Sequence, residues 1–396
     1  MPSKDAPVAI AGAGIGGLTA ALALSRAGRK VCIVERASEL REAGAGLQLS
    51  PNACGVLRRL DVLDALEPAA VAPAAIRIAN GQTGREVASV PLGESISRRY
   101  GNPYWVVHRA DLQNALLAAV KRHTDIDLRL GCEVTEVVMN GPRHVAFTLH
   151  HAGTEQPMEA DALIGADGVW SSVRSIFPAQ HDARFTGQTA YRTTIPAAGL
   201  PSWILINTGL WLGPNAHVVH YPISGGDKLN LVVLVEEDWT GKTWSEPASS
   251  DAVAGALANW SPVVQELAGR ASQWLKWALC RVDASRPWTD QRLALLGDAA
   301  HAMLPFVAQG AAMAIEDAAV LATSISAHKS LPAALKAYEA ARKPRVRKVQ
   351  ALAERNARIY HLSGPMAFGR DTALRLLGPK RLAGQMDWIY RWTAPE

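Results

Sequence analysis

Residues 8–11 form a short apolar run that enters Gly12-Ala13-Gly14-Ile15-Gly16-Gly17, and the following LTAALALSRAG repeats apolar residues at helical spacing until Gly28. A second apolar run, KVCIVE, covers 30–35. Strand, glycine turn, helix and strand in that order predict a βαβ unit, whose parallel strands need helices packed around the sheet and leave a ligand crevice at the strand ends. The pattern then predicts a helix over 51–66, with Pro51 suited to its first turn. Two strands follow over 76–92, a third over 105–109 and a helix over 110–122. Further strands are expected at 127–130, 134–139, 145–151 and 160–165. Between 184 and 237 strands dominate, as TAYRTTIP, WILINT, AHVVHYPI and KLNLVVLVEE, with turns at Gly213-Pro214 and Gly225-Gly226. From Gln309 onward the pattern is mainly helical, with breaks expected at Pro332, Pro344 and Gly364-Pro365.

At 396 residues the chain is long enough for two or three lobes. Hydrophobic residues reach 48% and charged ones 19%, below the roughly 25% of an average soluble chain. Such a chain can fill a large interior and still enclose a dry cavity. The net charge of +5 is spread along the sequence, which favours anionic small molecules over a nucleic-acid groove. The basic segment 341–358 reads as a solvated helix face. Cys32, Cys54, Cys132 and Cys280 contain no CxxC pair, so neither a zinc site nor a disulfide framework is expected, and no metal is required. The first fourteen residues lack the regions of a signal peptide, and no uninterrupted apolar run approaches about 18 residues. The expectation is a soluble cytoplasmic protein, monomer or homodimer, without membrane or nucleic-acid partners.

The chemistry starts at Gly12-x-Gly14-x-x-Gly17, where glycines permit a tight turn and bring backbone close to a pyrophosphate at a helix N-terminus. Glu35 closes the second strand 18 residues beyond Gly17, where a carboxylate can accept from ribose hydroxyls. NAD and FAD both fit these two features. Two later apolar stretches separate them: Gly165-Ala166-Asp167-Gly168 with Arg174, and the run ending Gly297-Asp298-Ala299-Ala300-His301, followed by Pro305 and Gln309-Gly310. Asp298 can hold ribityl hydroxyls, and the N-terminus of a helix starting near Gly310 favours the negative charge of a reduced flavin.

These residues together, GAGIGG at 12–17, ER at 35–36, HRADL at 108–112, GADGVWSSVR at 165–174 and GDAAHAMLPFVAQGAAMAIEDA at 297–318, resemble the single-component FAD-dependent aromatic hydroxylases. The likeness covers the whole chain and is nearest to the branch with salicylate hydroxylase, 3-hydroxybenzoate 6-hydroxylase and 6-hydroxynicotinate 3-monooxygenase. It implies an α/β fold with a Rossmann-like FAD lobe over 1–75, 102–182 and 275–328. A β-rich substrate lobe would be inserted over 76–101 and 183–274, and a helical C-terminal region would follow over 329–396. Non-covalent FAD would be reduced by NADH or NADPH, O2 would give a flavin hydroperoxide, and a phenol or hydroxylated N-heteroaromatic, in all expectation a carboxylate, would take one oxygen atom. The alternative is an FAD-binding flavoprotein that hydroxylates nothing.

By the same resemblance Glu35 and Arg36 hold the adenosine, Arg109 reaches the phosphate and ribityl region, Asp298 binds ribityl, and Gln48 lies beside the flavin. Asp167 belongs to a motif tied to both FAD and NAD(P)H, and Gly310 and Ala311 offer backbone to the cofactor. In AHVVHY, alternation along a strand places His217 and Tyr221 on one face and His220 on the other. The resemblance puts that His and Tyr in the substrate pocket, where an imidazole with an ordinary pKa near about 6.5 suits a general base toward a phenol. His108 and His301 are expected to position the chain rather than react, and Trp274 and Trp277 to pack the lobes together.

Overall fold

The computed structural model describes residues 6–40, 46–140, 143–177, 182–241 and 243–395. Its α/β half is a six-stranded sheet. Ile126–Leu130, Val31–Glu35, Val8–Ala11, Ala162–Gly165 and Leu293–Leu295 run parallel in that order, and Thr289–Asp290 adds an antiparallel edge. VAIA and ALIG are buried along their whole length, as expected of parallel strands covered on both faces. Helices Ile15–Arg26, Arg109–Val120 and Gly310–Ala327 supply cover. Among the described residues Gly310–Ala327 is the one helix apolar and long enough to cross a membrane, but it is mostly buried in the core and is interrupted by Glu316 and Asp317.

The other half is an eight-stranded sheet in the order Ser245–Ala248, Trp274–Arg281, Arg184–Pro196, Lys228–Glu236, Ala216–Ile223, Thr208–Gly213, Ala75–Asn80, Glu86–Pro91. Every pairing is antiparallel except that of Thr208–Gly213 with Ala75–Asn80. One face buries Trp211, Val218, Leu231 and Val233 against the helices Ser250–Ala256 and Pro262–Gly269. The other faces the α/β half and the C-terminal helices. Trp274 packs inside the first of these cores and not between the lobes, because its side chain points away from the α/β half; Trp277 instead stacks edge-on with Trp244, ring centroids 4.6 Å apart.

Four expectations are corrected. The strand expected over 203–208 begins only at Thr208: Ser202–Leu205 is a helical turn and the strand is Thr208–Gly213, a distinction that a short apolar run cannot carry. The helix expected over 51–66 stops at Arg59 and resumes at Leu63, with Asp61 in the left-handed region at φ 55° between them. The strand expected over 160–165 is two strands, Thr154–Ala160 and Ala162–Gly165; the first is a mostly exposed polar edge, TEQPMEA, which hydrophobic patterning does not register and where Pro157 is tolerated. Leu331–Tyr360 runs straight through Pro344 for 30 residues. Buried ion pairs from Arg342 and Arg345, on either side of the proline, hold the helix in place across the lost hydrogen bond.

Candidate active site

A cavity of about 500 Å³ runs between the two halves. Gly12, Gly14, Glu35, Arg36, Gln48, Arg109, Asp167, His217, Tyr221, Asp298, Gly310 and Ala311 all line it. Gly17 does not. A Cβ on Gly17 would lie 1.9 Å from the Gly12 carbonyl oxygen, and Gly12, at φ 104°, would put one 2.5 Å from the Ala166 oxygen. These two glycines therefore fold the turn tightly against the 165–168 loop, whereas a Cβ on Gly14 would meet nothing within 4 Å and its backbone stands open to the cavity.

Two helix N-termini end at this cavity, Ile15–Arg26 and Gly310–Ala327. Neither has a side-chain cap or an acidic residue in its first turn, so both offer amides to an anionic ligand. Helix Arg109–Val120 differs: His108 Nδ1 accepts from the Ala110 amide at 3.2 Å and caps it, leaving the Arg109 side chain to face the cavity. The Glu35 carboxylate accepts from the Ala13 and Ala37 amides at 2.8 and 2.9 Å, which fixes it at the edge of the glycine turn. Gln48 is oriented by the Tyr104 hydroxyl, which donates to its Oε1. Asp167 uses Oδ2 to accept from Ser172 Oγ and Val173 N, both at 3.2 Å, while its Oδ1 is buried with no partner among the described residues.

Asp298 follows Gly297 at a sharp turn, φ 62°, and its carboxylate makes no hydrogen bond to the described residues. The turn is held from below: Asp317 Oδ2 accepts from the Gly297 amide at 3.1 Å and bonds His301 Nε2 at 2.6 Å. Arg342 joins Asp317 and Glu316 at 2.7 and 2.6 Å, and Asn52 Nδ2 donates to Glu316 at 2.6 Å. Burial alone would raise the Asp317 carboxyl, but His301 and Arg342 hold it down to about 2. His301 is thus a buried support. Arg174 is another, donating to the carbonyls of Ala299 and Val169 at 3.0 and 2.7 Å and so tying the Asp167 loop to the Asp298 turn.

At the far end of the cavity His217, Val219 and Tyr221 share one face of their strand. His220 points the other way into a buried niche made by Gly209 and Trp211, where burial pushes its imidazole down to about 4. A Cβ on Gly46 would lie 2.5 Å from the Tyr221 ring, so only glycine leaves room for that side chain. Burial, reinforced by the neighbouring His361, drives the His217 pKa well below its usual value, which replaces the ordinary imidazole expected from the sequence with one that rests neutral. Burial likewise keeps Tyr221 a neutral phenol.

The FAD binding domain family matches residues 5–353. The 3-hydroxybenzoate 6-hydroxylase 1 of Aquipseudomonas alcaligenes is 36% identical over 385 residues, 97% of each chain. A 3-amino-4-hydroxybenzoate 2-monooxygenase of Streptomyces platensis is 38% identical, covering 98% of this chain and 96% of its own. The chain belongs to the FAD-dependent aromatic hydroxylases. A salicylate hydroxylase substrate complex superposes with a TM-score of 0.81 at 25% identity, covering 98% of this chain and 96% of its own.

As a member of this family of flavin hydroxylases the protein uses FAD, with NAD(P)H as reductant and O2 as the oxygen source. The residues present fit the cofactor: two uncapped helix N-termini, an open glycine backbone, an orphaned Asp167 oxygen and an unpaired Asp298 carboxylate converge on one cavity. Three residues at the His217 end of the cavity escaped the sequence reading. Arg192 lines the cavity from the strand Arg184–Pro196, with its Nε buried and without a partner among the described residues, and its guanidinium 5.5 Å from the Trp277 ring. The one available signal was a lone charge inside TAYRTTIP. His361 lies behind His217, bonded to it across 144 positions of sequence, and Glu236 bonds His361 in turn across 125; no local pattern marks them.

Proposed function

We propose that the protein hydroxylates a benzoate already carrying a ring hydroxyl, with Arg192 binding the carboxylate, His217 accepting the hydroxyl proton and Tyr221 donating to the substrate. The observation that carries this reading is Arg192: a buried guanidinium on the cavity wall, with no carboxylate of the chain hydrogen-bonded to it among the described residues. Burial lowers its pKa, yet an arginine stays charged in proteins, so a desolvated cation here awaits an anion. Trp277 supports its flat face. Relatives named for hydroxybenzoate and amino-hydroxybenzoate substrates agree with a ring bearing both groups.

In this reading the chain does four things. The amides at 14–17 and 310–311 neutralise phosphate and flavin charge, Glu35 and Arg36 hold the adenosine, and Arg109, Asp167, Asp298 and Gln48 hold the middle and ring of FAD. Arg192 orients the substrate. His217 withdraws its proton, because a phenolate is the stronger nucleophile. With FAD and substrate in place, the cavity would have to exclude water, which would divert the oxygen to peroxide. Bound FAD supplies the oxygen-activating chemistry. We divide the chain as the sequence suggests, but assign Trp274–Arg281 to the substrate lobe whose sheet it joins, and place the protein in the cytoplasm as a monomer or homodimer.

The test is a panel of hydroxybenzoates, their methyl esters and hydroxypyridine carboxylates, scored for both NAD(P)H oxidation and hydroxylated product. Arg192→Gln should raise KM for the free acid by about 10- to 100-fold, the weight of a charge-assisted hydrogen bond, and leave the ester almost unchanged. Equal effects on acid and ester would remove Arg192 from the carboxylate.

A further inference from the structure

His217 does not end at the cavity wall. Its Nδ1 lies 2.9 Å from His361 Nε2, and His361 Nδ1 lies 2.6 Å from Glu236 Oε1. The three residues come from three separate elements: the strand Ala216–Ile223, the C-terminal end of helix Leu331–Tyr360, and the last position of the strand Lys228–Glu236. His217 and His361 are buried, whereas the Glu236 side chain is 43% exposed. Phe306 and Tyr360 wall the path, with ring centroids 4.7 and 5.4 Å from that of His217. The cation whose charge acts on His361 is Arg370, itself held by Asp371 and by the carbonyls of Ile359 and Tyr360.

This arrangement fixes the tautomers. A carboxylate only accepts, so His361 Nδ1 carries a proton toward Glu236. Burial lowers the His361 pKa although Glu236 opposes it, so the ring is neutral and its Nε2 presents a lone pair. His217 Nδ1 must then donate to it, which leaves His217 Nε2 bare and without a partner among the described residues, on a side chain that lines the cavity.

We propose that His361 and Glu236 form a proton conduit that carries the substrate's hydroxyl proton from His217 out to water. The inference rests on His217 being the base. As the substrate O–H breaks, an N–H forms at His217 Nε2; the Nδ1 proton of His217 passes to His361 Nε2; the Nδ1 proton of His361 passes to the Glu236 carboxylate, which gives it to solvent. No charge need stay on a buried ring, since each imidazole gains one proton and loses another. A proton returning along the same path to the product oxygen restores both tautomers.

The test uses the FAD-loaded oxidised protein without NAD(P)H, so that no turnover occurs, and 3-hydroxy-4-nitrobenzoate, a coloured phenol, below its own ionisation pH. Flavin fluorescence reports binding and the phenolate absorbance reports proton loss. Glu236→Gln keeps an oxygen to accept from His361 but removes the proton sink; His361→Phe keeps a ring against Phe306 but cuts the path. Both should bind the probe as the parent does, and form phenolate on the order of 100-fold more slowly. Parent-like rates in both variants, with His217→Ala slow, would overturn the conduit and leave the base. Parent-like rates in His217→Ala as well would overturn the base and the conduit together. If the probe does not change the flavin fluorescence, the substrate reading falls, and nitrogen-15 histidine spectra of the resting protein decide the conduit: protons on Nδ1 of both rings support it, and a proton on Nε2 of His217 defeats it.

Discussion

His301 and His361 each hold a carboxylate oxygen at 2.6 Å, yet their surroundings differ in nearly every other respect. Around His301 two carboxylates, Asp317 and Glu316, face Arg342 and Arg345, and the whole group is buried except for the edge of Arg345. Charges balance and the cluster is closed. Around His361 the single carboxylate, Glu236, stands partly in water, and among the described residues no guanidinium is hydrogen-bonded to it. The donor set alone therefore does not assign a role to a buried histidine. A closed, balanced group has nowhere to send a proton and acts by fixing the Gly297-Asp298 turn and the Gly310 helix; an open chain with a cavity at one end and solvent at the other can pass one on.

The difference is most sharply exposed by breaking the closed cluster. Arg342→Met should destabilise the fold by about 3–5 kcal/mol, because Asp317 and Glu316 would be left buried without their main counter-charge. Thermal denaturation measures it, and an unchanged midpoint would mean the cluster contributes nothing. The parent should also lose stability in acid. The folded Asp317 pKa, about 2, lies below the unfolded value of about 3.9, so its contribution is complete above roughly pH 4 and drains away as the pH falls toward 2.

Next in size is His217→Ala, which should slow hydroxylation by about 100-fold or more at neutral pH while leaving FAD bound. The deficit should shrink as the pH rises and free phenolate becomes available. His220→Ala makes the contrast within one strand: its ring lies on the opposite sheet face, so it should cost stability through the cavity it leaves and spare the chemistry of bound substrate. Equal kinetic damage from both would show that His217 acts by packing.

The same contrast explains what could be read from the chain alone. The glycine-turn end of the cavity is built largely from backbone at strand ends and helix starts, and such turns need particular residues at fixed local spacing: Gly12, Gly17, Glu35, Gly297 and Asp298 sit within short motifs. The His217 end is built from side chains on strands that meet only through sheet register, as Tyr221 opposite Asn230 and His217 opposite Leu234, and from a helix that arrives from the C-terminal region. Alternation sufficed to pair His217 with Tyr221. It could not bring Arg192 or His361 to them, nor reveal that Pro344 would be spanned, because those outcomes depend on partners far away in sequence.

A smaller effect belongs to the turn that the closed cluster holds. Asp298→Ala removes an exposed carboxylate without disturbing Asp317, His301 or Arg342, so the fold should stand. Flavin retention should weaken by about 10-fold, the worth of a hydrogen bond to a charged group. Gel filtration followed by flavin absorbance measures it, and full retention would take the ribityl role away from Asp298.

The smallest expected change is the most discriminating for the open chain. Glu236→Gln should move the thermal stability by no more than about 0.5 kcal/mol, as for other surface substitutions. Its carboxylate already stands 43% exposed, and glutamine can still accept from His361 Nδ1. Glu316→Gln should cost far more, since that carboxylate is fully buried and accepts from Arg342, Arg345 and Asn52 at once. The same exchange of an oxygen for an amide thus separates the two clusters by their stability alone: a large loss at position 236 would mean that the His361 pair is a structural clamp, and a negligible one leaves proton transfer as the property that Glu236 contributes.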